Sequence, residues 1–600
     1  MLHTDAQTGS TLEEHNGFFI LHLYGTPFER GAAHGRLLRE KIQESNVSRY
    51  YGNFLYDLYM SSDFAQKMPL FLRRPVAAIL ENFFYSPLEK MILTETREEL
   101  EGLAEEASID PTEALRGILA GDIMEQLAAG FLKSGREALG NYYLGGCSAA
   151  YVRRSGVKPH AHSLFARNMD FPGIFNWKYP VIVFHHPEEE IAILAEQEQG
   201  GFRWQRKQKQ PYMYISTAGF PGTGLTGMNA SGIAMGTFAC VSKNCSSRKM
   251  VFLDYNHYLF TRTESMGGIK KIIEEENLCS ASPHVVMFAD KDEAITVEVD
   301  SKNSVVVSMP NHFDLHVQTN HFVNPLLKKR ELEFPLEREF TVGRYRLMKE
   351  VIEGNYGKID VQAMINIIAS NIDLASKEPR LLGDFPAQCN TLHSVVFEPE
   401  TYNFWVASGR PPAVCYNRYY GYNLLDELSG EKKRKLPSYK KDGKLSAGDG
   451  ARGEVTKDMQ ASLVHIALSQ ELLNKGRVSR ALTQLEEALR HYDDPGYQYV
   501  RGLVYMIAAQ PQQALPIIST TRQTYIFAPL KDIALSLWEA RCLDILGRRE
   551  EAVALYQDTL KSGILVANLR DALQQGIHTP FTQEDMPKTV DYFVMGPLEF

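Results

Sequence analysis

Cys147 follows two glycines in NYYLGGCSAAYVRR, where a helical texture gives way to short β-rich runs. A cysteine there is either a small apolar residue opening a strand or a nucleophile. The nucleophile reading uses the glycines: a thiol that attacks its own preceding carbonyl needs a distorted peptide, and Gly146 lacks the Cβ that would forbid one. Such attack converts the Gly146 to Cys147 peptide into a thioester, and hydrolysis leaves Cys147 as a new N-terminus. The thiol is then the nucleophile, and the α-amine, with an unperturbed pKa of ~7.7 to 8.0, is the general base. No histidine is needed. His160 and His162 fall in an expected turn and His185 and His186 at a strand end, without carboxylates at matching spacing. Neither a Cys/His dyad nor a metal site is expected, and no cofactor.

Downstream, SLFARNMDF places Arg167 and Asp170 on a strand expected to pair with the one opening at Cys147, through a turn near Gly156. The pair is either a rim salt bridge or part of the site. Beside a thiolate the guanidinium would lower its pKa, and the carboxylate could orient the α-amine. GTGLTGMNASGIAMGT lacks the GKS or GKT of a phosphate loop. It reads as a tight hairpin with Asn229 at its tip, or as an amide donor aimed into a cleft.

These residues need scaffolding. GFFILHLYG is a strand, and the chain from Phe28 to about Gly140 is mostly helical, with Asp110 before Pro111 as a helix N-cap. The aromatic runs YYGNFLYDLYM and LENFFYSPLEKM fit core packing better than a membrane-surface helix. From Gly145, runs such as SAAYVRR, YPVIVFHH, PYMYIST, HVVMFAD and TLHSVVFEP indicate a large, mainly antiparallel sheet system covered by a few helices, an α+β class. The Gly- and Lys-rich segment 427–456 reads as a flexible linker. Beyond it Ala481, Ala514 and Ala552 lie 33 and 38 residues apart, bracketing the ~34-residue tetratricopeptide period of paired helices.

The 600 residues imply more than one domain. With 44% hydrophobic residues and 23% charged, the composition is that of a globular protein rather than a disordered one. A net charge of −9 argues against nucleic-acid binding. Seven scattered cysteines without a CxxC pair argue against a disulfide framework. With no signal peptide and no membrane span in view, a cytoplasmic location is expected.

The order GTPFERGAAHGRLL, GGCS, ARNMD, GMNASGI, QTNHF and GRYRL resembles the acyl-coenzyme A:6-aminopenicillanic acid acyltransferase family of N-terminal-nucleophile hydrolases, relatives of choloylglycine hydrolases. The resemblance runs from about Gly17 to Pro412. It implies an αββα sandwich, self-cleavage before Cys147, Arg167 and Asp170 flanking the nucleophile, Asn229 and Asn320 at oxyanion positions, and Arg344 as a distal support with Arg346 as its neighbouring competitor. The expected domains are an N-terminal strand and helical segment 1–146, an αββα catalytic core 147–426, the linker 427–456, and an all-α helical-repeat domain 457–600. The expected activity is hydrolysis or transfer at the amide or thioester of an apolar acyl group. Its alternative is a silent scaffold whose repeats recruit a protein partner. The helical domain is expected to be separable from the chemistry.

Overall fold

A computed structural model of the chain describes residues 2–134, 146–197, 200–309, 314–332, 335–431, 434–442, 455–563 and 566–597. Two sheets face one another. The larger runs in the order Leu2–Thr4, Thr11–His15, Phe18–Gly25, Pro180–Pro187, Tyr212–Thr217, Thr226–Asn229, Ala234–Ala239, His284–Ala289, Ala294–Val299, Ser304–Ser308. The smaller runs Leu315–Gln318, Gly146–Val152, Leu164–Asp170, Thr391–Glu398, Asn403–Ala407, Tyr419–Asn423. Neighbours are antiparallel except Phe18–Gly25 with Pro180–Pro187, which run parallel. Phe184 meets Phe404 and Phe18 meets Tyr422 across the interface, with ring centroids 6.4 Å apart in both pairs.

Helices Pro27–Ser45, Thr94–Ala107 and Phe252–Thr261 cover the outer face of the larger sheet, and Pro335–Gly354 and Val361–Ile368 that of the smaller. The result is an αββα sandwich. Covering both faces explains why strands Gly146–Val152 and Leu164–Asp170 are buried at every position and show no polar alternation.

Local signals set the helix starts. Thr26 and Glu29 form a reciprocal cap with Pro27 in the first turn, and Asp110 accepts from Thr112 N just before Pro111. The first helix crosses Thr94–Ala107 so closely that a Cβ on Gly31 would lie 1.8 Å from Glu99 O, which accounts for glycine there.

Four expectations change. The polar N-terminal tail forms two strands, Leu2–Thr4 at the edge of the larger sheet and Thr11–His15 next to it. The aromatic run around Phe83 is not wholly core: Phe64, Leu70, Phe71, Ile79 and Phe83 are exposed. The expected linker is in part strapped down. Glu427 is buried, Tyr439 exchanges backbone hydrogen bonds with Tyr419 at 2.8 and 2.9 Å, and Trp405 Nε1 donates to Pro437 O at 3.0 Å. Lys441 donates to Asn371 Oδ1 at 2.6 Å, and burial pushes its pKa down to about 7. Lysine content reads as solvation, but the Lys441 ammonium lies over the Tyr416 ring, 5.2 Å from its centroid, where the π face attracts a cation. Residues 443–454 of that segment lie outside the described ones.

The fourth change concerns the C-terminal helices. They pair in sequence as Lys457–Asn474 with Val478–His491, Pro495–Ile507 with Pro511–Thr524, and Pro529–Ile545 with Arg549–Leu560. They are not a separable module. Leu463, Val500, Leu503 and Trp538 share one buried cluster with Val396, Leu381 and Phe385, and Leu336 and Phe340 pack into another with Ala534 and Leu537. Asp494 Oδ2 accepts from Leu381 N at 2.6 Å, and buried Lys531 pairs with buried Asp384. Lys531→Met leaves Asp384 as an uncompensated buried charge, so it should cost about 3 to 5 kcal/mol. Denaturant unfolding should show sandwich and helices melting together at a lowered midpoint.

Candidate active site

Antiparallel register places Cys147 opposite Met169, Ser148 opposite Asn168 and Ala149 opposite Arg167. Side chains alternate across a strand. Cys147, Arg167 and Met169 therefore face the space between the sheets, and Ser148, Asn168 and Asp170 face the helix layer.

The backbone of Cys147 is gripped from both sides. Its N–H donates to Asn320 Oδ1 at 2.7 Å, and its carbonyl accepts from Arg344 Nη1 at 2.6 Å. Arg344 also donates to Ser148 Oγ at 3.1 Å and to Asn320 Oδ1 at 3.0 Å, and its guanidinium stacks on Phe340. Arg344 is fully buried, whereas Arg346 is exposed, so Arg344 is the arginine that reaches the site. Asn320 Nδ2 donates to Ala239 O at 3.0 Å and in this state is spent on the larger sheet.

Arg167 bridges the sheets. It donates to Thr226 Oγ1 at 2.7 Å and to Thr237 O at 2.6 Å, and lies over the Phe238 ring. A Cβ on Gly236 would come within 2.4 Å of Arg167 Cδ, so one glycine of the GIAMG run is there to admit this side chain. His393 Nε2 lies 2.8 Å from Thr226 Oγ1, and burial holds its pKa well below the usual histidine value. Arg167 lowers the Cys147 pKa, but burial outweighs it and the thiol is pushed up.

Asp170 pairs with Gly146 across the strands, beside the junction. Its Oδ1 accepts from Thr391 Oγ1 at 2.7 Å, and Oδ2 has no hydrogen-bond partner among the described residues. Burial pushes its pKa up to about 7 against the opposing pull of Arg344, Thr391 and Arg167.

Asn229 is not brought to this group. Its Nδ2 donates to Phe260 O, its Oδ1 accepts from Ser231 N and Ile233 N, and its own N–H donates to Ile233 O. Side chain and backbone are both spent on the hairpin, the plainer of the two readings of GMNASG. His162 pairs with Glu400 at the surface, and His185 lies with Tyr212 and Glu99 under the helices of the larger sheet. Among the described residues no cluster of three or more His, Cys, Asp or Glu could hold a metal. Thr226, Thr391 and Ser148 went unremarked in the sequence because isolated hydroxyls there carry no spacing signal.

Cys147 and Arg167 open onto a cavity whose wall is otherwise largely apolar, with Ile118, Met124, Phe220 and Leu225 among its residues. Trp177 Nε1 donates to Tyr51 OH at 2.8 Å and Tyr51 OH donates to Pro172 O at 2.6 Å, so the polar tips of two large lining residues are satisfied.

Because the folded pKa of Asp170 is raised, the native state binds its proton more tightly than the unfolded chain does. The stability this confers is full below ~4 and is lost as pH rises through about 7. In a Cys147→Ala background, Asp170→Asn should therefore gain Tm over its parent as pH rises from 5, levelling off above about 7. Thermal melts at stepped pH check this.

A family model described as acyl-coenzyme A:6-aminopenicillanic acid acyl-transferase matches residues 158–413. The match includes Arg167, Asp170, Asn229, Asn320 and Arg344 and begins after Cys147. No match is found among curated proteins. Over those residues the chain is similar to the acyl-coenzyme A:6-aminopenicillanic acid acyl-transferase family, a family of acyl transfer and hydrolysis of the N-terminal-nucleophile type.

Proposed function

We propose that the chain is a self-processing amidohydrolase or acyltransferase that carries an apolar acyl group on Cys147. The observation that supports this most is the grip on the Cys147 backbone at the floor of a largely apolar cavity, N–H to Asn320 and carbonyl to Arg344, with the buried Arg167 cation beside the thiol. Similarity to an acyl-transfer family over residues 158–413 supports the reaction class.

In the first step Cys147 Sγ attacks the Gly146 carbonyl carbon. The C–N bond to Cys147 breaks, the departing nitrogen takes the thiol proton, and water hydrolyses the resulting thioester. The freed α-amine keeps Asn320 Oδ1 as an acceptor, which aims its lone pair toward the thiol. In turnover the amine takes the thiol proton, Sγ attacks the substrate carbonyl, and the leaving amine or thiol departs with that proton. Water or a second amine then releases the acyl group from sulfur. Arg167 opposes the cost of thiolate charge in a buried site. Arg344 and Asn320 hold the strand end against recoil, and aliphatic and aromatic walls suit an apolar acyl chain.

Intact mass and N-terminal sequencing of the purified protein should find Cys147 as a new terminus, with both fragments co-purifying because strand Phe18–Gly25 lies within the larger sheet. Cys147→Ala should remain full length. Recovery of only the uncleaved chain from an active preparation overturns the mechanism.

A further inference from the structure

Helix Leu70–Glu89 turns its apolar side outward. Phe71, Ile79 and Phe83 are 76, 68 and 71% exposed, Leu70 is 78% exposed, and Phe64 in the preceding short helix is 64% exposed. At 100° per residue, Phe71, Leu72, Pro75, Ala78, Ile79 and Phe83 fall on one arc about 18 Å long, while Ala77 lies on the opposite side and is buried. This inverts the usual surface helix, and monomeric soluble proteins rarely leave such a patch bare.

The inner side of the helix is firmly held. Arg116 donates to Glu81 Oε1 at 3.2 Å and Glu89 Oε1 at 3.4 Å and lies over the Tyr85 ring. Arg73 donates to Met68 O and Gln66 O, fixing the turn that carries Phe64. The same Pro111–Ile118 helix that bears Arg116 contributes Gly117 and Ile118 to the cavity wall. The outward face is thus backed, through Arg116, by a helix that also lines the cavity.

Charge identifies the occupant. Lys67, Arg73 and Arg74 lie in or beside the patch, and no acidic residue occurs between Asp63 and Glu81, in a chain of net charge −9. A two-fold contact between copies would match the face with itself and supply no acid for those cations, since Glu81 is tied to Arg116. A sheet of anionic headgroups over hydrocarbon supplies both partners at once. We propose that the face of helix Leu70–Glu89, with Phe64, docks on the surface of an anionic membrane, lying in the interface rather than crossing it. Among the described residues no helix is long and apolar enough to cross. The proposal does not depend on the acyl chemistry.

The test is flotation of the full chain with phosphatidylcholine vesicles, with and without phosphatidylglycerol, at low and high salt. Binding is expected to the anionic vesicles and to weaken with salt. Arg74→Ala should lower partitioning about fivefold, and the triple change Phe71→Ser, Ile79→Ser, Phe83→Ser about 100-fold, with Tm unchanged because these side chains are exposed. Failure of the wild type to float, equal binding to neutral vesicles, or undiminished binding of the triple variant each overturns the proposal. So does a wild-type dimer that the triple variant dissociates while neither protein binds vesicles.

Discussion

Arg344 is the interaction through which the layers of this molecule are joined. Its guanidinium carries donors and no acceptor and is held without solvent exposure, and its two terminal nitrogens find their acceptors on Cys147, Ser148 and Asn320. Those three residues belong to a strand opening and a turn far apart in sequence. One buried cation thereby fixes the start of strand Gly146–Val152, the amide of Asn320 and the helix Pro335–Gly354 relative to one another. Removing an acceptor would leave a charge in the interior, which the fold cannot tolerate cheaply.

The same helix carries the C-terminal domain. Leu336 and Phe340 pack among its helices, and Glu339 accepts from Leu530 N at 2.8 Å and Lys531 N at 3.1 Å, at the N-terminus of helix Pro529–Ile545. The helical pairs therefore brace the outer layer of the sandwich on the side where Arg344 reaches the site. Their mechanical role follows from this packing, whatever else they bind.

Arg167 and Asp170 show how alternation divides labour along one strand. Arg167 points between the sheets, where its charge lies beside the thiol and meets Thr226 and Thr237 on the opposite sheet. Asp170, three residues on, points to the helix layer, where Arg344 opposes the burial that keeps its carboxyl titrating near 7. The two charges act on Cys147 from opposite faces of the strand, and for the intact chain burial prevails over both arginines in keeping the thiol protonated.

Much of this was written in the sequence. Gly145, Gly146 and Cys147 at a change of texture, the Asp110-Pro111 helix start, the strand ARNMD and the paired helices after residue 457 are local signals of backbone preference and periodicity, and local preferences survive in any tertiary context that does not oppose them. What lay beyond the sequence depends on contacts between distant segments. Asn229 sits in a motif that suits a turn or a cleft equally, and only its bonds to Phe260, Ser231 and Ile233 decide for the turn. The Lys-rich segment gives no sign that Pro437 and Tyr439 will find Trp405 and Tyr419. Phe71, Ile79 and Phe83 have a helical spacing that reads the same whether the apolar side faces in or out, because periodicity defines a face but not its direction. That direction was decided by Arg116, Glu81 and Tyr85, which hold the side of the helix away from the exposed arc.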